Sequence, residues 1–303
     1  MYEIKNEFIK KAQNSEICAY VSECEANFEK RLIPIADSFI EKNPVLAALA
    51  GPSCSGKTTG ANKLYEMLRQ RGKRIKVLST DDFFKNQAEA PLNPDGTKNY
   101  DSFSHIDSDY LVEVLYDISR KRKVFLPVFD FLTGTRKPEY VEYDPEDHDI
   151  VIIEGIHALN DKIIGNIDPD KLLGIYISVA DSYFLNGEEL FSCREIRLLR
   201  RLVRDSYFRN ANAERTFALW KGVTEAEKQY ITPFIKNADI RISSAFEYEP
   251  CVMRNHALDV LGNVAPDSKY KTDADLLSSK ISEVAPIDDC LIPPNSLLHE
   301  FLG

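Results

Sequence analysis

The sequence predicts an α/β fold built on a parallel β-sheet, and three observations predict it. Short apolar runs rich in β-formers, among them Leu46 to Ala50 and Ile150 to Ile153, read as buried strands of a parallel sheet. Helix-period segments separate these runs, as crossover connections require. One run leads straight into Gly51-Pro52-Ser53-Cys54-Ser55-Gly56-Lys57-Thr58, a G-x-x-x-x-G-K-[ST] loop that opens a helical segment from Thr59 to Arg71.

That loop carries the first chemical implication. Gly51 and Gly56 let the backbone approach phosphate oxygens where a Cβ would intrude. The amides of the loop and the helix N-terminus offer partial positive charge to an anion. Lys57 reaches for the β- and γ-phosphates, and the Thr58 hydroxyl suits a Mg²⁺ shell. Gly51, Ser53, Cys54, Ser55, Gly56, Lys57, Thr58 and Thr59 are thus the expected surface for a nucleoside triphosphate, ATP, with Mg²⁺. Cys54 lies within reach of thiol reagents by this reading and has no catalytic part.

Composition narrows the class. The 303 residues are 44% hydrophobic and 28% charged, ordinary for a globular protein. Net charge is 38 − 48 = −10, which argues against a general nucleic-acid binder or an anionic-membrane binder. No apolar run approaches the ~18 residues of a spanning helix. The opening Met1-Tyr2-Glu3-Ile4-Lys5 lacks the basic-then-apolar plan of a signal peptide, so a cytoplasmic location is expected. Cysteines 18, 24, 54, 193, 251 and 290 form no C-x-x-C pair and read as reduced core thiols.

Taken in order, residues 1–43 form a helical extension. Ile33, Ile35, Ala36, Phe39 and Ile40 give it an apolar face, and its helix is expected to begin near Pro34. The run Arg74 to Leu78 is a second strand, and Asp81 and Asp82 follow it at the sheet's carboxyl edge, where open α/β folds bind ligands. A polar loop spans 85–105 and holds Asn93-Pro94-Asp95-Gly96 and Asn99-Tyr100-Asp101; loops of that length are usually functional. Ile106 to Arg120 is a helix and Val124 to Val128 a strand. Phe129 to Arg136 is either a pair of aromatics flanking a flat ligand or a β-turn with packed rings. Ile150 to Ile153 ends in Glu154, a carboxylate at a strand tip suited to orienting Mg²⁺ or its water, while His157 reads as a structural residue. Leu173 to Val179 and Ala238 to Ile242 are the remaining strands; Phe246 to Leu261 and Asp273 to Val284 are helices.

Between these last strands lies a second constellation. Arg194, Arg197, Arg200, Arg201, Arg204 and Arg209 fall within sixteen positions of an otherwise acidic chain. On a helix, Arg197, Arg200, Arg201 and Arg204 share an arc of about 100°. An all-arginine face suits multidentate phosphate recognition, with structural ion pairing as the alternative.

The order of these motifs resembles the uridine kinase and phosphoribulokinase family, in particular bacterial uridine-kinase-like proteins, here without their N-terminal threonyl-tRNA-synthetase-type domain. The resemblance rests on Gly51 to Thr58, Ser79 to Phe84, Asn99-Tyr100-Asp101, Phe129-Asp130-Phe131, Ile153 to His157, Arg197 to Asp205 and the closing Ile292 to Leu298. It implies a three-layer α/β/α P-loop fold with a central parallel sheet and an arginine-bearing lid at about 190–235, inside a kinase domain over 44–262, with a C-terminal helix and tail over 263–303. It also implies roles: Asp81 as general base, Glu154 at the metal, Asp101 on the ribose hydroxyls, Arg204 and Arg209 closing on the transferring phosphoryl group. Phe129, Phe131, Arg136 and Arg201 are the further residues expected at the acceptor. Three positions depart from the family pattern. Phe129 replaces a Tyr, Gly134 a His and Ala211 a second lid Arg. Phosphoryl transfer to the 5′-hydroxyl of a nucleoside is therefore expected, with a sugar, polyol or pantothenate-like alcohol as the alternative acceptor and a nucleotide-binding regulator as the rival class. A GTPase is disfavoured, because Asn62-Lys63-Leu64-Tyr65 lacks the Asp of a guanine reader. Homo-oligomerisation is left open.

Overall fold

The computed structural model describes residues 1–93, 96 and 98–302, so part of the Asn93 to Gly96 turn lies outside the described residues. In chain order it begins with β1 (Tyr2–Glu3), α1 (Asn6–Lys11) and the long α2 (Asn14–Lys42). Next come β2 (Leu46–Ala50), α3 (Lys57–Gln70), β3 (Ile75–Ser79) and α4 (Ser108–Ser119). A hairpin of β4 (Val124–Asp130) and β5 (Thr135–Tyr143) precedes β6 (Ile150–Glu154), α5 (Asp161–Ile164) and β7 (Leu172–Ser178). The short β8 (Tyr183–Leu185) and β9 (Glu188–Phe191) lead to α6 (Cys193–Phe208), α7 (Ala213–Tyr230) and β10 (Ile240–Ser243). Last are α8 (Glu249–Gly262), α9 (Lys271–Ser282) and α10 (His299–Leu302).

Five strands form one all-parallel sheet in the order β10-β7-β2-β6-β3. Every residue of β2 and β6 is buried, which a strand achieves only when both faces of its sheet are covered. Alternation along β2 divides the core accordingly. Ala47 and Leu49 pack with residues of α2, α3, α6 and α8, while Leu46, Ala48 and Ala50 pack with α4 and α5. The architecture is the three-layer α/β/α one. The run at Val124 joins no central strand; it pairs antiparallel with β5 in a separate hairpin.

The expected start of a helix near Pro34 is corrected. α2 runs through Pro34 without a break, from Asn14 to Lys42. Proline inside a helix costs ~3 kcal/mol, and the burial of Val21, Phe28, Leu32, Ile35, Ala36 and Phe39 on one stripe offsets it. The apolar face is also rotated from the expected one: Ile33 and Ile40 are exposed, and Phe28 and Leu32 take their place in the core.

Residues from both ends share that core with the sheet. Leu297, Leu298 and Phe301 are fully buried in the same cluster as Phe28 and Ile175. A buried polar network joins them: the Glu25 carboxylate of α2 accepts hydrogen bonds from Tyr248 Oη and Ser296 Oγ. All six cysteines are free; Cys24, Cys54 and Cys251 are buried, and Cys290 is exposed. Among the described residues, no helix is long and apolar enough to cross a membrane.

Candidate active site

β2 lies at the middle of the sheet, so the loop that follows it emerges at the centre of the carboxyl edge. Its glycines are dictated by space. A Cβ on Gly51 would come within 2.2 Å of the Ile177 carbonyl oxygen, and one on Gly56 within 2.6 Å of Leu297 Cδ1. Gly56 also has φ +76°, a left-handed conformation that favours glycine. Among the described residues, the amides of Gly56, Lys57 and Thr58 donate to no protein acceptor. The Ser55 hydroxyl is wholly buried and without a partner. Unpaired buried donors are costly, and a cradle of them at a helix N-terminus fits a phosphate chain. The loop residues therefore fit a nucleoside triphosphate. Thr58 is exposed beside them, and Glu154 lies in the electrostatic field of Lys57, so hydroxyl and carboxylate together are a donor set suited to Mg²⁺.

Three carboxylates meet at this edge. Glu154 ends β6, its backbone opposite Leu49 on one side and Ser79 on the other, and is 7% exposed. Burial pushes its pKa up; Lys57 opposes the shift and Asp81 adds to it. Asp81 sits one residue past Thr80 in a 3₁₀ turn whose start is capped by Ser79 Oγ, which accepts from the Asp81 amide at 3.3 Å. Part of the residue stays accessible, yet protein surrounds the carboxyl. That desolvation raises the Asp81 pKa, with Lys57 lowering and Asp101 raising it further. Asp81, Asp101, Glu154 and Lys57 thus share one field. Gly155 completes the packing: a Cβ there would meet Thr80 Oγ1 at 1.8 Å.

Opposite them runs α6, and its arginines divide into two kinds. Arg200 is fully buried, bidentate to Glu249 (2.8 Å for Nη2–Oε2), and donates to the Cys54 carbonyl at 3.2 Å. Arg197 is bidentate to Glu227 of α7 and donates to the Ser53 carbonyl at 3.1 Å. These two are structural ion pairs that also hold the phosphate loop. Arg201 donates to Ser53 Oγ at 2.9 Å and lies 3.2 Å from Asp205, which places it on the donor loop. Arg204 and Arg209 flank the same Asp205, and Arg209 keeps 58% of its side chain exposed. Arg209 contributes to the field at Asp81.

The 85–105 loop and the hairpin hold the residues expected at the acceptor. The Asp101 carbonyl accepts from His157 Nε2 at 3.0 Å, and burial pushes the His157 pKa down to about 4, so its ring is a neutral structural group. Phe129 and Phe131 touch edge to face, with ring centroids 5.1 Å apart at 67°. Rings in direct contact leave no slot for a planar ligand between them, so the β-turn with packed aromatics is the arrangement present. Phe131 nevertheless presents 61% of its surface to solvent. Arg136 braces the hairpin: it pairs with Asp107 at 2.9 Å and donates to the carbonyls of Phe83 and Phe84.

Residues 46–248 match the Phosphoribulokinase / Uridine kinase family. The chain belongs to this family. Uridine kinase of Bacillus subtilis (strain 168) is 30% identical over 202 residues, covering 66% of this chain and 86% of that protein. Uridine kinase of Clostridium novyi (strain NT) is 31% identical over 200 residues, with 66% and 86% covered. A solved structure from Silicibacter sp. TM1040, provisionally described as a fructose transport system kinase, shares the fold with a TM-score of 0.50 at 19% identity, covering 70% of this chain and 98% of that one. Like its family, the chain is a phosphotransferase with an alcohol acceptor.

The matched region ends at residue 248, which leaves α2 and everything from α8 onward outside it. Sequence reasoning missed what those parts contribute. Glu249 supplies the partner of Arg200, and Glu300 of α10 accepts from Thr59 Oγ1 at 2.6 Å, on the phosphate-loop helix itself. The closing Ile292 to Leu298 run was the available signal, but no spacing rule ties a segment to a loop some 240 positions away.

Proposed function

We propose that this chain transfers the γ-phosphoryl group of ATP to the 5′-hydroxyl of a nucleoside of the uridine or cytidine kind. The observation that carries the reading is the shared field of Lys57, Asp81 and Asp101 at the mouth of the phosphate loop. A donor loop, a base and a second carboxylate on the acceptor side are the parts that phosphoryl transfer needs.

Asp81 accepts the proton of the attacking hydroxyl; its raised pKa makes it a stronger base than an ordinary carboxylate. Asp101 holds the ribose hydroxyls. Lys57, Arg204 and Arg209 stabilise negative charge on the phosphoryl oxygens, and preorganised cations of this sort supply most of the catalysis. Thr58 and Glu154 would hold Mg²⁺, which when bound neutralises charge on the β- and γ-phosphates. Arg197, Arg200 and Arg201 keep the loop in shape. A sugar or polyol acceptor is the second reading, favoured by the edge-to-face contact of Phe129 and Phe131 and by Gly134, which gives the pocket no polar side chain where the family has a histidine.

ADP release measured across nucleosides, sugars and polyols tests both. Release stimulated by uridine or cytidine supports the first reading. Stimulation only by a sugar or polyol replaces the acceptor while keeping the chemistry, and no stimulation by any alcohol would make the chain a nucleotide-binding regulator.

A further inference from the structure

The C-terminal turn touches the phosphate loop once and its helix once, and reaches the loop a third time through Arg200. Leu297 fills the space over Gly56, so closely that an added Cβ would lie 2.6 Å from its Cδ1. Glu300 Oε2 accepts from Thr59 Oγ1 at 2.6 Å and from the Thr59 amide at 3.4 Å. Phe301 packs under the Arg200 guanidinium, 4.8 Å from ring centroid to Cζ, and that guanidinium holds the Cys54 carbonyl. The turn is itself fixed, because Ser296 donates to Glu25 of α2 and Leu297, Leu298 and Phe301 are fully buried.

Thr59 is the third residue of α3, next in the chain to the unpaired amides of Gly56, Lys57 and Thr58, and its own amide is held by Glu300. A threonine in a helix divides between two χ1 rotamers. The bond to Glu300 selects one of them. A carboxylate near a triphosphate would ordinarily repel it, but Arg200 and Arg204, although each is paired with another carboxylate, also lie within electrostatic reach of Glu300. Favourable interaction with the helix N-terminus acts in the same direction.

We infer that Glu300 is a positioning residue for the phosphate donor: through Thr59 it sets the first turn of the phosphate-loop helix, and the C-terminal turn is a working part of the donor site. This rests on the donor reading above, and goes beyond it, since Glu300 lies outside the region that matches the family.

The test is the affinity of the full-length protein for Mg·ATP, with KM and kcat measured separately. Glu300→Ala is expected to raise Kd and KM for ATP about ten-fold, the scale of one lost hydrogen bond. Its kcat should stay within about two-fold of the wild type, because no reacting atom is touched. Glu300→Gln should recover most of the affinity, since its amide oxygen still accepts from Thr59. Thr59→Val should match Glu300→Ala, and the double variant should be no worse than either single one. Unchanged affinity in both Glu300→Ala and Thr59→Val overturns the inference. So does tighter binding in Glu300→Ala, which would mean that the carboxylate competes with a phosphate. If Glu300→Ala does not fold, Thr59→Val against Glu300→Gln decides, and wild-type affinity in Thr59→Val overturns the inference. A wild-type protein that binds no triphosphate overturns the donor reading instead, and this one with it.

Discussion

Asp81, the base of the proposed transfer, sits under opposing influences: desolvation raises its pKa, Lys57 limits the rise and Asp101 adds to it. Asp81→Asn keeps the shape and removes the proton acceptor. It should lower kcat by at least ~10²-fold while ATP still binds, and near-wild-type turnover would remove Asp81 as the base. His157 offers a prediction about stability. Its pKa is pushed down from 6.5 to about 4 by burial. The unfolded chain therefore takes up a proton below pH 6.5 that the folded chain refuses until about pH 4. Stability contributed by the neutral ring is complete above 6.5 and is lost as pH falls through that window, by ~3 kcal/mol. Unfolding titrations of a His157→Gln variant should show a shallower loss between pH 6.5 and 4. Parallel curves for variant and wild type would show that the ring is not the titrating group.

At the scale of one element, α6 separates two jobs that its sequence shows as one stripe. Arg200 is wholly buried, and its removal strands the equally buried Glu249. Breaking such a pair costs roughly 3–5 kcal/mol, so Arg200→Met should lower the melting temperature sharply. Arg204 keeps 11% of its side chain exposed and donates twice to the buried Asp205, a carboxylate that Arg201 and Arg209 also pair with. Arg204→Ala should lower the melting temperature less than Arg200→Met, because Arg201 and Arg209 still pair with Asp205, and should cost turnover, by up to roughly 10³-fold if it acts like a trans-acting arginine. Comparing the two variants by calorimetry and by steady-state kinetics checks the division; the same profile in both would refute it. The arginine arc was legible from period alone. Its division was not, because the partners Glu227 and Glu249 lie about 30 and 49 positions away in sequence.

For the whole molecule, the sheet order puts β2 between β6 and β7, so Glu154 and the phosphate loop become neighbours although about 100 positions separate them. Both chain ends reinforce that centre. Glu25 of α2, Tyr248 and Ser296 form one buried hydrogen-bonded set, and Phe28, Ile175 and Phe301 lie in one hydrophobic core. Cooperative unfolding follows from a shared core. Chemical denaturation followed by fluorescence of the single tryptophan, Trp220, and by far-UV circular dichroism should give one coincident transition. A separate early transition belonging to the N-terminal helices would show that they are an independent unit.

Leaving β1, β5, β8 and β9 unread, the sequence by itself determined the five strands of the central sheet, the phosphate loop with its lysine, the acids at or just past two strand ends and the presence of an arginine helix. Each of those is written in local period, in residue type or in a motif of eight residues, so neighbours along the chain suffice to read it. Pro34 shows where local rules stop: a breaker by propensity, it lies inside α2 because burial along that helix outweighs its cost. Only the tertiary structure decided which arginines are spent on Glu227 and Glu249, that Phe129 and Phe131 pack against each other, and that Glu300 reaches Thr59. Those are pairings between distant segments, fixed by the stacking of helices on a sheet, and no local pattern in the chain encodes them.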